Sequence, residues 1–336
     1  MSLLKTRIAV TGASDIMGRE ILNLLAEMGV SADNVTALKA GPHSGEDVSF
    51  GENKLLEVES LDSHDFSGTQ IVLHVDEVRS TAALAKKLSG TGAWLVDGSG
   101  VFAFDPSVPV IVPEVNGEAC TNAPKKIVAN PNSLSIFLAL ALNPLNKNAG
   151  VTRVVASTYQ SVSHWGRSAQ DELFSQTKAV FMAQDTNPEY LPKQIAFSCY
   201  PMVGNERDDG MTDVEFQTMG MLKKIFNTKL KVAINTVTVP CFVGDGLMVN
   251  VECRDEVTPI KAALWMTGQK ALAVLEESDN PPTHSDITGE GLTFVARLRE
   301  DISVENGVSF WLMGDNLRKG GALNMVDIAQ LIAKDL

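Results

Sequence analysis

The sequence predicts an α/β protein of two domains, the first built on a parallel sheet and the second on a largely antiparallel sheet. Up to about residue 150, short apolar strands alternate with helices, which is typical of a parallel sheet covered on both faces. Beyond that point the strands lengthen, and some, such as 247–251, alternate apolar and polar residues. This alternation indicates an α+β domain. A chain of 336 residues is long enough for two hydrophobic cores.

The first domain is predicted to begin with an apolar strand at 7–11, which runs through a turn containing glycines into a helix. That helix carries apolar residues at helical spacing between 21 and 28. Further strands are predicted at 35–39, 70–75 and 94–96, with a helix at 81–88 between the last two. This order of elements favours parallel pairing of the strands.

The second domain is predicted to contain longer strands, at 151–161, 194–200, 231–240, 247–252, 293–298 and 309–313. Its helices are predicted at 134–142, 168–182, 213–226 and 259–277. A final helix at 321–336 is expected to return to the first domain.

Composition and charge exclude several classes of function. The formal charge of −13 opposes binding to nucleic acids and to anionic membranes. The longest apolar stretch, 134–142, is too short to span a bilayer, and the N-terminus does not resemble a signal peptide. We therefore expect a cytoplasmic protein whose ligand is a small molecule.

The cysteines and most of the histidines show no metal-ligand spacing. No C-x-x-C pair is present, so we expect buried, reduced thiols, no disulfides and no metal. The cysteines are Cys120, Cys199, Cys241 and Cys253. The histidines to which no role is assigned are His43, His64, His74 and His284.

The turn after the first strand has the general form of a dinucleotide-binding turn. In such turns, glycines let the backbone approach a pyrophosphate at the positive end of a helix. The candidate cofactor residues are Gly12, Ser14 and Gly18, but Asp15 stands where a central glycine is expected. The alternative is that Gly12 and Gly18 serve only the turn and its packing. The spacing leaves both interpretations open.

Five segments, in order along the chain, resemble motifs of the aspartate-semialdehyde dehydrogenase family. They are V-P-E-V-N at 112–116, N-P-N-S at 130–133, S-T-Y-Q-S-V-S at 157–163, Q-I-A-F at 194–197 and D-N-L-R-K-G-G-A-L-N at 315–324. The second resembles the family's N-P-N-C segment with the catalytic cysteine replaced. That replacement resembles the Usg-type homologues, a branch of the family in which the same cysteine is lost.

The resemblance implies a fold, a cofactor and an assembly. It implies a Rossmann-type NAD(P)-binding domain at 1–132, completed by 316–336, and a dimerisation and catalytic domain at 133–315. It also implies a homodimer that uses NADP. In the active enzymes, a thiolate attacks the aldehyde, a hydride passes to NADP, and phosphate releases the acyl group.

The resemblance places four catalytic positions, of which only one keeps the family residue. Ser133 stands at the nucleophile, Thr238 at the arginine that holds the substrate carboxylate, and Asp245 at the histidine base. Gln160 is retained. Because serine is a common helix N-cap, we interpret Ser133 as the cap of the helix that follows it.

The positions for substrate and cofactor are also altered. Ala103 and Gln217 replace cations of the phosphate site, whereas Glu215, at the position that meets the substrate amine, is retained. Among the cofactor positions, Asn316 is retained and His164 replaces a glycine beside the cofactor channel. The arginine expected at the 2′-phosphate is replaced near Pro42. The resemblance thus implies NADP, while Asp15 and His164 lead us to expect weak binding or none.

Three functions follow from these observations. The first is a dimeric homologue that is inactive for the family reaction and acts as a scaffold or binding protein. The second is an NADP-dependent dehydrogenase of aspartate semialdehyde or another aldehyde, with Cys241 as a substitute thiol. The third is a hydrolase in which His164 activates Ser133, and it requires a hydrogen bond between those two side chains.

Overall fold

The chain divides into two compact units. The computed structural model describes residues 2–41, 46–226, 229–276 and 280–336. Unit 1 is Met1–Asn132 together with Gly321–Leu336, and unit 2 is Ser133–Gly320. Pro42, His43 and Glu277 lie outside the described residues.

Unit 1 is a seven-stranded sheet flanked by helices. The strands are β1 (Ile8–Thr11), β2 (Val35–Lys39), β3 (Asp47–Phe50), β4 (Lys54–Ser60), β5 (Ile71–His74), β6 (Trp94–Asp97) and β7 (Ile127–Ala129). The helices are α1 (Ile16–Glu27), α2 (Val78–Leu88) and α3 (Pro113–Asn116). The strand order is β3-β4-β2-β1-β5-β6-β7. All neighbours are parallel except β3, which pairs antiparallel with β4.

The order reverses at β1, so that β2 and β5 lie on its two sides, as in doubly wound dinucleotide-binding domains. The core of this unit joins the first strand to the helices: Ile8 of β1 and Leu22 of α1 are both fully or nearly fully buried in one apolar cluster. The predicted parallel α/β class is confirmed. The sequence patterns did not predict β3, β4 or β7, which are short or partly exposed.

Unit 2 is a six-stranded, largely antiparallel sheet. Its strands are β8 (Val151–Gln160), β9 (Lys231–Asn235), β10 (Asp245–Cys253), β11 (Leu272–Val274), β12 (Thr293–Glu300) and β13 (Gly307–Gly314), in the order β11-β12-β13-β10-β8-β9. Its helices are α4 (Ser133–Ala149), α5 (Arg167–Phe181), α6 (Asp213–Phe226), α7 (Pro259–Met266) and α8 (His284–Ile287). The three central pairings are antiparallel, as predicted.

Helix α9 (Leu323–Asp335) returns the chain to unit 1, where Val326 joins the core cluster. A π-helical turn, Arg318–Ala322, precedes it. In the described part of the chain, no helix combines the length and apolar character needed to cross a membrane.

Two element predictions in unit 2 are wrong. Residues 194–200 form no strand, because the backbone N–H groups of Ile195 and Ala196 donate to the Gln176 side chain instead of to a neighbouring strand. The helix predicted at 259–277 ends at Met266, because the chain takes a positive φ of 79° at Gly268 and then forms β11.

The four cysteines are free thiols in different surroundings. Cys120 and Cys253 are buried and Cys241 is half-buried, but Cys199 is exposed. The expectation that all four are buried is therefore wrong for Cys199.

Candidate functional site

The candidate catalytic residues converge at one end of the unit 2 sheet. Gln160 is the last residue of β8 and Asp245 the first of β10, and the antiparallel register makes them direct neighbours. Ser133, the first residue of α4, reaches the same point. Three positions separated by tens of residues in the sequence therefore form one cluster.

Asp245 is the centre of this cluster. Its side chain is fully buried. Its Oδ2 accepts a hydrogen bond from the Ser133 hydroxyl at 2.7 Å. The Nε2 atom of His164 lies 2.8 Å from the same oxygen and 3.0 Å from Oδ1. A buried carboxylate needs such partners, and here the protein itself supplies them.

The pairing with Asp245 also changes the protonation of His164. Burial by itself lowers the pKa of His164, but the charge of Asp245 and the hydrogen bond to it outweigh burial and raise the pKa above its ordinary value. One fifth of the imidazole side chain is exposed, at 20%. The protonated His164 side chain is therefore paired with the buried carboxylate of Asp245.

Gln160 is likewise committed to its neighbours. Its Nε2 lies 2.9 Å from His164 Nε2, and its Oε1 accepts a hydrogen bond from Thr158 at 3.1 Å. The side chain is fully buried. Gln160, which the family resemblance places in the catalytic set, thus contacts His164 directly.

The predicted cap role of Ser133 is wrong. The helix begins at Ser133 itself, and the hydroxyl donates to Asp245 and, among the described residues, accepts no hydrogen bond from a helix N–H. The hydroxyl also makes no hydrogen bond to His164, although both groups contact the same carboxylate oxygen. The hydrogen bond that a histidine-activated serine requires is therefore not formed.

Thr238, at the carboxylate-clamp position, is buried and occupied by two neighbours. Its Oγ1 accepts from the indole N–H of Trp165 at 3.3 Å and donates to the Met202 carbonyl at 2.8 Å. Threonine itself carries no charge that could pair with a substrate carboxylate. The sequence did not single out Met202, because its contact depends on the irregular segment before β9.

Glu215 lies in the first turn of α6 and caps the N-terminus of that helix. Its Oε2 accepts from the Thr212 backbone at 2.8 Å and its Oε1 from the Thr236 backbone at 2.8 Å, while Thr212 Oγ1 accepts from Glu215 N at 3.2 Å. This reciprocal pair is a capping box at the start of α6. Gln217, two residues on, makes no hydrogen bond through its half-buried side chain among the described residues.

Two further predicted positions, Ala103 at the phosphate site and Cys241 as a substitute thiol, do not support the chemistry expected of them. Ala103 lies in unit 1 and is almost fully buried, with an exposure of 1%. Burial raises the pKa of the Cys241 thiol, and the neighbouring Cys199 raises it further. A thiol with a raised pKa is a poor nucleophile at neutral pH.

Comparison with known proteins identifies the family. Residues 7–123 match the family model for the semialdehyde dehydrogenase NAD-binding domain, and residues 142–319 match that for the semialdehyde dehydrogenase dimerisation domain. The aspartate-semialdehyde dehydrogenase of Rickettsia conorii is 36% identical over 97% of both chains, and that of Bacillus subtilis 34% identical over 97% of both. The chain belongs to the aspartate-semialdehyde dehydrogenase family.

Solved structures of the family agree. The crystal structure of aspartate-semialdehyde dehydrogenase II from Vibrio cholerae matches with a TM-score of 0.94 at 31% identity, covering 98% of each chain. The Candida albicans enzyme, described with NADP, matches with a TM-score of 0.71 at 16% identity, covering 98% of this chain and 99% of its own, which shows the fold alone. For this chain, the matched family model is that of an NAD-binding domain, over residues 7–123.

Asn316, which the resemblance to aspartate-semialdehyde dehydrogenases predicts to be a cofactor position, makes its side-chain hydrogen bonds within unit 2. Its Oδ1 accepts from the Gly244 backbone at 2.8 Å, and its Nδ2 donates to Ser163 Oγ at 2.9 Å. The side chain is buried, with an exposure of 4%. It therefore fixes the segment that leads into Asp245.

The glycine turn of the NAD-binding unit combines packing demands with features that fit a dinucleotide. A Cβ on Gly18 would lie 2.1 Å from the Gly12 carbonyl oxygen, so glycine is required there by the protein's own packing. The Ser14 Oγ, in contrast, is buried without a hydrogen-bond partner among the described residues. A pyrophosphate at the start of α1 would supply that partner. The turn thus fits the family cofactor.

The sequence did not reveal the internal pairing of these residues. His164 was expected to weaken cofactor binding, whereas it binds Asp245. The contact depends on the strand register, which places Asp245 beside Gln160, four residues before His164, and this register is visible only in the structure. His74 also had no predicted role, yet it is fully buried at the end of β5, 2.6 Å from the Thr11 hydroxyl.

Proposed function

We propose that this protein is a dimeric member of the aspartate-semialdehyde dehydrogenase family that does not oxidise aspartate semialdehyde, and that it acts as a binding or scaffold protein. The observation that supports this is the hydrogen bond from Ser133 to Asp245 at 2.7 Å. By the family resemblance, these two residues occupy the positions of the nucleophile and the base. Their side chains are hydrogen-bonded to each other.

The chemistry of the family reaction requires negative charge at the nucleophile. An alcohol is not ionised by a helix N-terminus at neutral pH and needs a base beside it. Asp245 accepts a hydrogen bond from the Ser133 hydroxyl. A charged carboxylate, however, also disfavours a second negative charge next to it. Ser133 is therefore neither ionised nor aligned with an imidazole.

The reaction also requires two anions to be held, a substrate carboxylate and a phosphate. Thr238, Ala103 and Gln217 stand at the positions of the cations that would hold them, and none carries a charge. Losing one charged partner costs about 2–5 kcal/mol. This corresponds to roughly one to three orders of magnitude in affinity for each anion.

The proposed lack of turnover is tested with purified protein, aspartate semialdehyde, NADP and phosphate. We expect no NADPH formation above the rate without protein. The Bacillus subtilis relative, prepared and assayed in parallel, is the positive control. Turnover by this protein at a rate approaching that of the control contradicts the proposal.

The proposed dimer forms on the face of the unit 2 sheet opposite α4. Leu247 and Val249, on the α4 side, are fully buried, while Met248 between them is half-buried. Met248 pairs in register with Ser157 and Trp311, which are also half-buried. Met248 and Trp311 thus place partly exposed apolar surface on one sheet face, and aromatic and methionine side chains are enriched at subunit interfaces.

The assembly is tested by light scattering after gel filtration. We expect a dimer for the wild type and a monomer for Met248→Arg, because a charge at the centre of a buried interface is left without a partner. Leu55→Arg, an exposed apolar residue in unit 1 with an exposure of 66%, is the control and stays dimeric. A monomeric wild type contradicts this proposal.

A further inference from the structure

We propose that the glycine turn of unit 1 contains a charge gate, in which Asp15 holds Lys39, and that Lys39 selects dinucleotides bearing a 2′-phosphate when Asp15 releases it. The proposal concerns unit 1 alone and does not depend on the absence of turnover. It assigns roles to Asp15, which stands where a central glycine is expected, and to Lys39, which stands where an acid would hold the ribose of NAD.

The backbone of the turn places the Asp15 side chain at the mouth of the phosphate position. Asp15 immediately precedes α1, yet its carboxylate makes no hydrogen bond to the N–H groups of that helix. Instead, its Oδ1 lies 3.1 Å from Lys39 Nζ. Its φ of −80° and ψ of 166° are ordinary for any residue, so the aspartate fits without backbone strain.

The rest of the turn remains available for an anion. Because Asp15 does not cap the helix, the first N–H groups of α1 keep their capacity to bind a phosphate. The buried Ser14 Oγ has no hydrogen-bond partner among residues 2–41, 46–226, 229–276 and 280–336. Two independent features of one turn thus point to a ligand oxygen.

Lys39 lies where the adenosine ribose is expected. It is the last residue of β2, which pairs with β1 in parallel register from Ile8 to Thr11. In doubly wound sheets, an acid at the end of this strand holds the ribose hydroxyls of NAD, whereas a cation nearby accommodates the 2′-phosphate of NADP. A lysine at this position favours the phosphorylated ribose.

A second cation supports the same face of the turn. The Arg19 Nε donates to the Ser14 carbonyl at 2.8 Å, and about half of the arginine side chain is exposed, at 51%. Arg19 therefore fixes the backbone of the turn, and its guanidinium group lies 3.9 Å from the Glu46 carboxylate, which is also partly exposed. Two cations, Lys39 and Arg19, flank the position at which Asp15 adds a negative charge.

The gate follows from the competition for Lys39. A 2′-phosphate and the Asp15 carboxylate cannot both hold the same ammonium group at close range, and the carboxylate also repels the pyrophosphate. The Asp15 side chain is half exposed, at 50%, so the pair opens without unfolding any element. Since exposed ion pairs are weak, removing the Asp15 charge should strengthen binding by about twofold to fivefold.

The test uses the whole protein and adenosine 2′,5′-bisphosphate, the half of NADP that carries the 2′-phosphate, measured by isothermal titration calorimetry. We expect Asp15→Asn to bind the probe about twofold to fivefold more tightly than the wild type. Asp33→Asn is the matched control, since Asp33 is exposed and lies before the start of β2, at the opposite end of that strand from Lys39. It should leave the affinity unchanged.

The role of Lys39 is tested with Lys39→Ala and with the double variant. We expect Lys39→Ala to lose the preference for adenosine 2′,5′-bisphosphate over adenosine 5′-monophosphate. Because Asp15 acts largely through Lys39, Asp15→Asn should then gain much less in the Lys39→Ala background. Equal affinities of wild type and Asp15→Asn overturn the gate, and an unchanged preference in Lys39→Ala overturns the assignment of Lys39. Absence of binding in every variant overturns both.

Discussion

The glycine turn of unit 1 and the Asp245 cluster of unit 2 differ in what their polar side chains bind. At the turn, one exposed aspartate stands in a backbone that suits a dinucleotide, and the Ser14 hydroxyl oxygen has no hydrogen-bond partner within the described part of the chain. In the cluster, the polar side chains at the positions that the family resemblance makes catalytic bind each other. Ser133 and His164 both contact one buried carboxylate.

The difference shows what each kind of substitution does to a binding site. A charged residue added at the surface changes affinity but leaves the groups that meet the ligand in place. Buried polar residues that bind each other form a hydrogen-bond network, in which each group already has a partner within the protein. Close packing requires glycine in both regions, at Gly18 beside the turn and at Gly320 beside Ser133.

The largest expected contrast comes from the same substitution in the two regions. Asp245→Asn removes the charge that two buried partners share, so we expect it to lower the free energy of unfolding by about 3 kcal/mol. Asp15→Asn breaks only an exposed ion pair and should change it by less than about 1 kcal/mol. Urea unfolding followed by tryptophan fluorescence measures both. Similar losses of unfolding free energy in the two variants would contradict the distinction between the buried cluster and the exposed turn.

A smaller contrast is expected within α6. Glu215→Ala removes the capping box and the hydrogen bonds to Thr236, at a cost of about 1–3 kcal/mol. Gln217→Ala, two residues away on the same helix, is the matched control and should change stability by less than about 0.5 kcal/mol. Thermal unfolding by circular dichroism ranks the two variants. If Gln217→Ala were the more harmful, Gln217 would have a structural partner that Glu215 lacks.

The pH dependence of the cluster has a definite sign. The pKa of His164 in the folded protein lies above its ordinary value of 6.5. Its pairing with Asp245 therefore contributes stability that is fully present below pH 6.5 and is lost as the pH rises through the folded pKa. The stability difference between wild type and His164→Gln should thus be larger at pH 6 than at pH 9.

This difference must be taken between the two proteins at each pH. Burial lowers the pKa of His74 and of His284, so these residues contribute in the opposite direction below pH 6.5. They are present in both proteins and cancel in the comparison. A difference that grows with rising pH would contradict the ion pair.

The sequence predicted the fold better than it predicted the contacts. The strand at Val35–Lys39 and the helix at Asp213–Phe226 follow from local periodicity, and their bounds agree with the structure. The strand predicted at 194–200 does not form, because the Gln176 side chain, on α5, accepts hydrogen bonds from the backbone N–H groups that a strand would use. No local pattern encodes such a contact.

The site shows the same division. Family motifs brought Ser133, Gln160 and Asp245 into one list, and the structure brings them into one cluster. The role of His164 depended on the direction of its side chain, which a motif does not contain. The sequence therefore indicated which residues had been replaced, but not that the replacements bind one another.

The central claim, that the environment of residue 133 opposes a negatively charged nucleophile, is tested most directly by the thiol in Ser133→Cys. Its pKa can be measured from the pH dependence of iodoacetamide alkylation at that peptide by mass spectrometry. With the Asp245 carboxylate beside it, we expect a pKa above the value of about 8.5 for a free cysteine, and no turnover of aspartate semialdehyde. A thiol that is ionised below about pH 7 and restores NADPH formation would contradict the account.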